Sequence, residues 1–188
     1  MRIRLAQDSE ADELLGRSPL ALLIGMLLDQ QVPLERAFAG PRTIADRLGR
    51  DLDAREIASY DPEQFAALLA AAPAVHRYPK AMAARVQALA TYLVEHYDGS
   101  AEKVWEDVRD GAELLRRLLA LPGFGRQKAQ IFLALLGKQC AVRPDGWREA
   151  AGPYGEEGVH RSVADVVDAE SLQLVRATKQ EAKRAAKK

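Results

Sequence analysis

Apolar residues recur at helical spacing along most of this chain, and glycine, proline and polar caps separate the helical stretches. The longest amphipathic stretch covers residues 80–97, where apolar side chains recur every three or four positions, as on one face of an α-helix. Ser18-Pro19 begins an almost wholly apolar stretch that reaches about Gln31, which predicts a buried central helix. No stretch has the strict alternation of a half-buried strand. The pattern therefore predicts an all-α protein with about ten helices.

Shorter helices are predicted around these two stretches. Gly40-Pro41 predicts a break between two short helices, and Gly137 predicts the end of a later one. No helix is assigned before Ser18. The bounds predicted for the shorter helices are 34–38, 41–48, 54–59, 62–70, 112–120, 126–136 and 147–151, with a last helix from about residue 171.

Composition agrees with a helical fold and narrows the chemistry. The chain has 188 residues, of which 48% are hydrophobic, enough for one medium domain or a compact two-lobed unit. Cys140 is the single cysteine, which excludes a disulfide framework, a four-cysteine zinc site and a four-cysteine iron–sulfur cluster. Its apolar neighbours predict a small buried residue rather than a reactive thiol. The three histidines have no metal-ligand spacing.

The formal net charge is +0, which argues against nucleic-acid binding by bulk charge but leaves room for a local basic surface. Residues 175–188 contain six Lys or Arg and a single acid, Glu181. The N-terminal residues run into acids, so no signal peptide is predicted. The apolar run 21–28 is too short to cross a bilayer. We therefore expect a soluble, cytoplasmic protein.

The segment that connects the predicted helices 112–120 and 126–136 has the composition of an anion-binding turn. Pro122 cannot continue the first helix, and Gly123 and Gly125 permit positive φ and the close approach of another backbone. The first N–H groups of the second helix have no helical partner, and they face a surface without side chains. A DNA phosphate is a natural occupant, and Arg126 and Lys128 add positive charge. An ordinary turn between two core helices is the alternative.

Residues 121–129, Leu-Pro-Gly-Phe-Gly-Arg-Gln-Lys-Ala, resemble the helix-hairpin-helix motif of the HhH-GPD superfamily of DNA glycosylases. In that family an apolar helix and then a catalytic aspartate follow the hairpin, and Asp145 stands 20 residues after Gly125, at the matching distance. The resemblance extends over about residues 18–155 and is strongest at the hairpin and Asp145. It implies a helix-hairpin-helix DNA glycosylase fold, with two helical lobes and a cleft between them.

This resemblance also implies a division of the chain. A helical core lobe spans residues 18–125, and a C-terminal helical lobe with a basic tail spans residues 137–188. The helix-hairpin-helix itself covers residues 112–136. Residues 1–17 form an N-terminal segment that is expected to pack on the C-terminal lobe.

The activity that the resemblance implies is base excision from double-stranded DNA. The base would first flip out of the duplex. Cleavage of its bond to the sugar would then build positive charge on the sugar, which the Asp145 carboxylate would stabilise while it orients or deprotonates the attacking water. Family members that also nick the strand place a lysine two residues after the last hairpin glycine, where this chain has Gln127. An amide cannot form a Schiff base, so a monofunctional enzyme without AP lyase activity is expected, although another amine could supply weak lyase activity. In the alternative, Pro144-Asp145-Gly146 is an ordinary turn and Asp145 caps a helix.

Further site residues come from the same resemblance. Gln30 and Gln31 resemble the segment that fills the duplex after base flipping, and a polar pair exposed at a helix end is the alternative. Tyr78 and Trp147 are candidates for the base pocket, with core packing as the alternative for Trp147. The residues assigned to DNA binding are Gln30, Gln31, Gly123, Gly125, Arg126, Gln127 and Lys128.

The resemblance implies no cofactor apart from a Na⁺ or K⁺ ion at the hairpin, held by the backbone carbonyls of Leu119, Leu121 and Phe124. The expected partner is double-stranded DNA, with no membrane, for a nucleoid-associated monomer. The lesion is left open among alkylated, oxidised, deaminated and mispaired bases, with a slight preference for alkylated ones from Pro144-Asp145. A non-catalytic helix-hairpin-helix DNA-binding protein is the first alternative, and a scaffold for protein partners is the second.

Overall fold

Helices make up the regular secondary structure of the computed structural model, which describes residues 2–187 and leaves out the terminal residues Met1 and Lys188. Short 3-10 turns lie at Ala101–Val104, Gly152–Gly155 and Val163–Asp165. No strand occurs among these residues, and the all-α class is confirmed. The division into two lobes and the glycosylase fold stay predictions. The α-helices are α1 Ser9–Arg17, α2 Pro19–Leu28, α3 Leu34–Leu48, α4 Ala54–Ser59, α5 Pro62–Ala70, α6 Pro79–Tyr97, α7 Gly111–Leu119, α8 Arg126–Gln139, α9 Trp147–Ala150 and α10 Ala169–Ala185.

The predicted central helix is α2, which is buried at every position from Leu20 to Leu28. The Ser18 hydroxyl accepts a hydrogen bond from the N–H of Ala21, and α2 packs against α1, α3 and α6. The helix ends at Leu28 instead of near Gln31. Its last turn tightens there, because the N–H of Asp29 donates to Met26 and Gln31 adopts a left-handed φ of 59°. The carbonyls at this end of α2 are the anchor for the site described below.

The break predicted at Gly40-Pro41 is wrong, because α3 runs continuously through it. Pro41 removes one helical hydrogen bond, but Phe38 before it and Ile44 after it are fully buried, and their packing holds the helix together. A Cβ on Gly40 would lie 2.6 Å from Cδ1 of Leu28. Gly40 is therefore a point of close packing between α3 and α2.

The helix end predicted at Gly137 is wrong for the same physical reason. Gly137 is buried inside α8, which continues to Gln139, and the Trp147 ring lies where a Cβ on Gly137 would have to be.

Helix α1 has no predicted counterpart. Its N-cap Asp8 accepts a hydrogen bond from Ala11, and the helix packs against α2 and α3.

The helices after the hairpin lie along α8. The contacts of α8 include α7, α9 and the two 3-10 turns that follow α9. The turn Val163–Asp165 packs on α8 and is also in contact with α10. Gln139, at the end of α8, donates to the Ala164 carbonyl at 2.8 Å, so α10 starts near that end. Within residues 2–187, no helix combines the length and apolar character needed to cross a membrane.

Candidate nucleic-acid interface

The hairpin presents the uncapped start of α8 to solvent. Gly125 is the N-cap residue, and no side chain forms a capping hydrogen bond with this helix end. The first N–H groups of a helix have no partner within it, so those of Arg126 and Gln127 are available to an anion. A Cβ on Gly125 would find no atom within 4 Å. A phosphate group can therefore approach the backbone here without meeting a side chain.

Apolar contacts fix the other side of the turn. Leu121 and Phe124 are buried, and the Phe124 ring packs edge-on against Phe132 with 6.0 Å between ring centroids. Gly123 has a φ of 82°, and a Cβ there would lie 2.5 Å from Cδ1 of Leu27. The hairpin therefore rests on the last turn of α2 through Leu121, Phe124 and the Gly123–Leu27 contact, while both glycines stay exposed.

Lys128 contacts backbone carbonyls of the protein, whereas a contact to a DNA phosphate is expected from the sequence. Its ammonium group donates hydrogen bonds to the carbonyls of Met26 at 2.6 Å, Leu27 at 3.2 Å and Asp29 at 3.4 Å. Burial lowers the pKa of Lys128 to about 8, although the nearby Asp29 opposes this shift. A cation at the carbonyl end of a helix is favourable, so Lys128 binds the start of α8 to the end of α2. Arg126 is left as the exposed cation of the hairpin.

His76 provides a second attachment at the end of α2, and no sequence motif pointed to it. Nε2 lies 3.1 Å from the Leu28 carbonyl and 2.8 Å from the Gln30 carbonyl, while the N–H of Tyr78 donates to Nδ1 at 3.0 Å. These partners require the neutral ring with the proton on Nε2. Burial lowers the pKa of His76, which favours the same form. The ring therefore holds the segment around Gln30 against the segment before α6.

The two glutamines differ in how freely they can move. The Gln30 side chain donates to the Leu27 carbonyl at 2.9 Å and accepts from Arg85 at 2.6 Å, so it is tied to the protein on both sides. Gln31 is exposed, with a left-handed φ of 59°, and its side chain forms no hydrogen bond within the described chain. Of the pair, Gln31 is the residue whose side chain is free to enter a duplex, and that role stays a prediction.

The two base-pocket candidates also separate. Trp147 is only 8% exposed, packed on Gly137, with the Arg148 guanidinium carbon 4.4 Å from its ring centroid. This burial favours the alternative in which Trp147 packs in the core, and its place in a base pocket stays a prediction. Tyr78 is 43% exposed and remains available for stacking. Gln127 is exposed and donates to the Tyr154 hydroxyl at 3.0 Å.

Asp145 lies in a tight turn between α8 and α9. Its carbonyl accepts the N–H of Gly111 at 2.7 Å, and the Pro144 carbonyl accepts the N–H of Trp147 at 3.1 Å. Gly146, with a φ of 72°, is the N-cap of α9, so the alternative in which Asp145 caps this helix is wrong. The carboxylate is exposed and has no hydrogen-bond partner among the described residues. Its backbone is therefore fixed while its side chain is free.

The turn that carries Asp145 is nearer the far end of α8 than the hairpin. Trp147 packs on Gly137, which stands ten residues after Gln127, a distance of about 15 Å along an α-helix. The chain then returns toward the hairpin, because Gln130 donates to the Ala150 carbonyl at 3.2 Å. The structure thus brings the hairpin, Gln31 and Tyr78 together at the end of α2 and holds Asp145 apart from them.

Charges are unevenly distributed despite the zero net charge. Many cations form ion pairs with carboxylates, among them Arg55 and Lys103 with Asp98. Around the end of α2, several exposed cations have no carboxylate within ion-pair distance in the described chain. This surface, called the basic face below, comprises Gln31, Arg77, Tyr78, Arg85, Gly125, Arg126 and Lys179.

Contacts within the structure connect the members of the basic face. Arg85 reaches Gln30, and Arg77 lies over the Tyr78 ring at 5.4 Å. Burial raises the pKa of Asp29 at the end of α2, while the charges of Lys179 and Lys128 lower it. Lys179 of α10 therefore lies close enough to this end of α2 to act on its carboxyl group. A polyanion at this face would meet cations that form no ion pair with a protein carboxylate.

No group of three or more His, Cys, Asp or Glu side chains in residues 2–187 is arranged to hold an ion. The Leu121 carbonyl already accepts the N–H of Phe124 at 3.1 Å, and the monovalent cation at the hairpin stays a prediction. Cys140 is half-buried rather than buried, and burial raises the pKa of its thiol to about 11, which favours the protonated form at neutral pH.

Comparison of the chain with protein-family models, curated proteins and solved structures found no match. The likeness to helix-hairpin-helix glycosylases therefore rests on residues 121–129 and Asp145.

Proposed function

We propose that this protein binds the phosphate backbone of double-stranded DNA through its hairpin and acts as a monofunctional base-excision glycosylase. The observation that carries the proposal is the uncapped start of α8 at Gly125, exposed on a face whose cations lack carboxylate partners. Backbone N–H groups at a helix start favour a phosphate, and Arg126 adds a charge-assisted contact beside them.

Asp145 is the proposed catalytic group. Its exposed carboxylate has no protein partner that would have to be displaced, and its backbone is held by Gly111. A fixed anion near the sugar would stabilise the positive charge that develops as the base departs. Gln127 cannot form a Schiff base, and the Lys128 amine is engaged by three carbonyls. The product would be an intact strand with an abasic site.

The decisive experiment is a base-release assay on duplexes that carry alkylated, oxidised, deaminated or mispaired bases, each read with and without alkali. Strand cleavage only after alkali is expected with the wild-type chain, because hydrolysis leaves an alkali-labile abasic site. Asp145→Asn should abolish it while duplex binding persists. Glu149→Gln, an exposed acid in the adjoining helix α9, is the matched control and should retain activity. Equal activity in wild type and Asp145→Asn would remove Asp145 from the mechanism.

A second function, non-catalytic binding of DNA, is favoured by one observation. The Asp145 turn lies toward the end of α8 that is remote from Gln127 and the hairpin. A protein that had kept only the hairpin grip would bind duplexes and release no base from any lesion in the panel. Arg126→Glu addresses the remaining alternative, a scaffold for protein partners, because duplex binding should collapse only if the hairpin contacts phosphate.

A further inference from the structure

Beyond residue 175, α10 is exposed and carries most of its positive charge on one side. Val175 is the last buried residue of this helix, and residues 179–187 are all exposed. At 100° per residue, Arg176, Lys179 and Lys183 fall within a sector of about 60°, whereas Glu181 and Arg184 point to other sides. Lys187 follows just after the helix ends at Ala185. We call Arg176, Lys179, Lys183 and Lys187 the α10 stripe. Lys188 continues the basic sequence but lies outside the described residues.

The base of the α10 stripe is fixed next to the hairpin. Arg176 forms an ion pair with Glu35 at the start of α3, and Lys179 acts on the Asp29 carboxyl group at the end of α2. Lys128, which starts α8, acts on the same carboxyl group. Since α10 begins beside the far end of α8, its later residues extend past the end of α2 on the hairpin side. Lys183 then stands about 6 Å beyond Lys179 along the helix axis. Lys187 follows two residues after the end of α10.

We propose that the α10 stripe is a second contact to the DNA backbone, which binds phosphates next to those held by the hairpin. This inference rests on the proposed DNA binding and extends it. Lys179, Lys183 and Lys187 have no carboxylate within ion-pair distance in the described chain, so their charge is available to a polyanion. A negatively charged membrane is less suitable, because residues 176–187 contain no bulky apolar side chain that could enter a bilayer.

Salt dependence measures the number of phosphate contacts directly. The variant that neutralises the α10 stripe, called the arm variant, combines Lys179→Gln, Lys183→Gln and Lys187→Gln in the full chain. The control variant is Arg50→Gln with Arg55→Gln and Lys103→Gln, which lowers the net charge equally. Arg55 and Lys103 pair with Asp98, just after α6 and at the opposite end of that helix from Tyr78. Arg126→Gln reports on the hairpin.

Affinity for a duplex of about two helical turns would be measured between about 50 and 200 mM KCl. The arm variant should lose about tenfold in affinity, and its slope of log K against log salt should become shallower by about 2 to 3, at roughly 0.9 per phosphate contact. The control variant should change the slope by less than about 1. Thermal unfolding of all variants should match wild type, because the replaced side chains are mostly exposed.

The outcomes separate this inference from the proposed function. An arm variant that behaves as the control does, while Arg126→Gln weakens binding, overturns the stripe and leaves the hairpin proposal intact. A wild-type chain that binds no duplex overturns both. Binding of wild type to phosphatidylserine vesicles that is lost in the arm variant, with duplex binding unchanged, would assign the stripe to lipid and overturn the inference.

Discussion

Gly123 and Gly125 stand two positions apart in the hairpin and meet different surroundings. Gly123 has a left-handed φ of 82° and faces Leu27, so a side chain there is opposed by both the backbone and the core. Gly125 has a φ of −73°, which any residue adopts, and open space where a Cβ would be. One glycine is required by the fold, and the other leaves room for a ligand.

Alanine at each position should separate these roles. Gly123→Ala should cost about 2 kcal/mol of unfolding free energy, from the positive φ and the contact with Leu27. Gly125→Ala should cost at most about 1 kcal/mol, as a weaker N-cap, yet should lower duplex affinity because its methyl group stands where a phosphate would approach. Urea denaturation and duplex titration of both variants measure this. Undiminished affinity in Gly125→Ala would contradict the proposed phosphate site.

At the scale of elements, the start of α7 supports the turn that carries Asp145. The N–H of Gly111 donates to the Asp145 carbonyl, and a Cβ on Gly111 would lie 2.6 Å from the Gly146 carbonyl oxygen. The close approach of these two backbones depends on the missing side chain. Helix α7 also leads into the hairpin. Its end therefore positions the proposed phosphate site, and its start positions Asp145, the proposed catalytic residue.

Gly111→Ala should therefore move the Asp145 turn without touching the hairpin. We expect a loss of about 1–3 kcal/mol in unfolding free energy, since backbone atoms must shift. Base release should fall more than duplex affinity does. Ala112→Ser, an exposed change in the same helical turn, should alter neither. Should duplex affinity and base release fall in parallel, the separate positioning of Asp145 by α7 would be wrong.

At the scale of the whole molecule, Lys128 is a charge that the fold buries. Its amine joins α8 to α2 across a separation of 102 residues in sequence. Burial lowers its pKa to about 8, below the value near 10.5 that it has in the unfolded chain. Between these two pH values the unfolded chain binds more protons than the native one. This group therefore makes the native state more stable as pH rises through that window, and it contributes no change below it.

Lys128→Met should remove that dependence. The unfolding free energy of wild type, minus that of Lys128→Met, should rise by about 2 kcal/mol between about pH 8 and pH 10, as followed by urea denaturation. Taking the difference cancels titration of the other groups common to both proteins. Lys103→Met, at an exposed lysine, should give a flat difference. A flat difference for Lys128→Met as well would mean that its amine is not buried in solution.

Local sequence features determined most of the helices and the hairpin. Ser18-Pro19, Asp53 and Asp61-Pro62 cap helices that begin where predicted, because capping requires only a polar side chain and its own next residues. Pro122, which cannot continue α7, and Gly123, which has a positive φ, likewise produce the turn by their own conformational preferences. The all-helical class follows from the spacing of apolar residues, which is also a local property.

Only the tertiary structure decided what depends on residues far apart in the chain. Gly40 and Gly137 read as helix breaks, but Leu28 and Trp147 pack on them and the helices continue. The sequence predicts Lys128 as an exposed cation, yet its ammonium group donates hydrogen bonds to carbonyls about one hundred residues earlier. His76 binds the end of α2, and no sequence motif predicts that role. The sequence by itself determined the hairpin turn that is proposed to bind an anion, because most of its backbone geometry is set within five consecutive residues. Which cations stay free around that turn, and how far Asp145 lies from it, depend on packing between elements, and packing is not written in any local pattern.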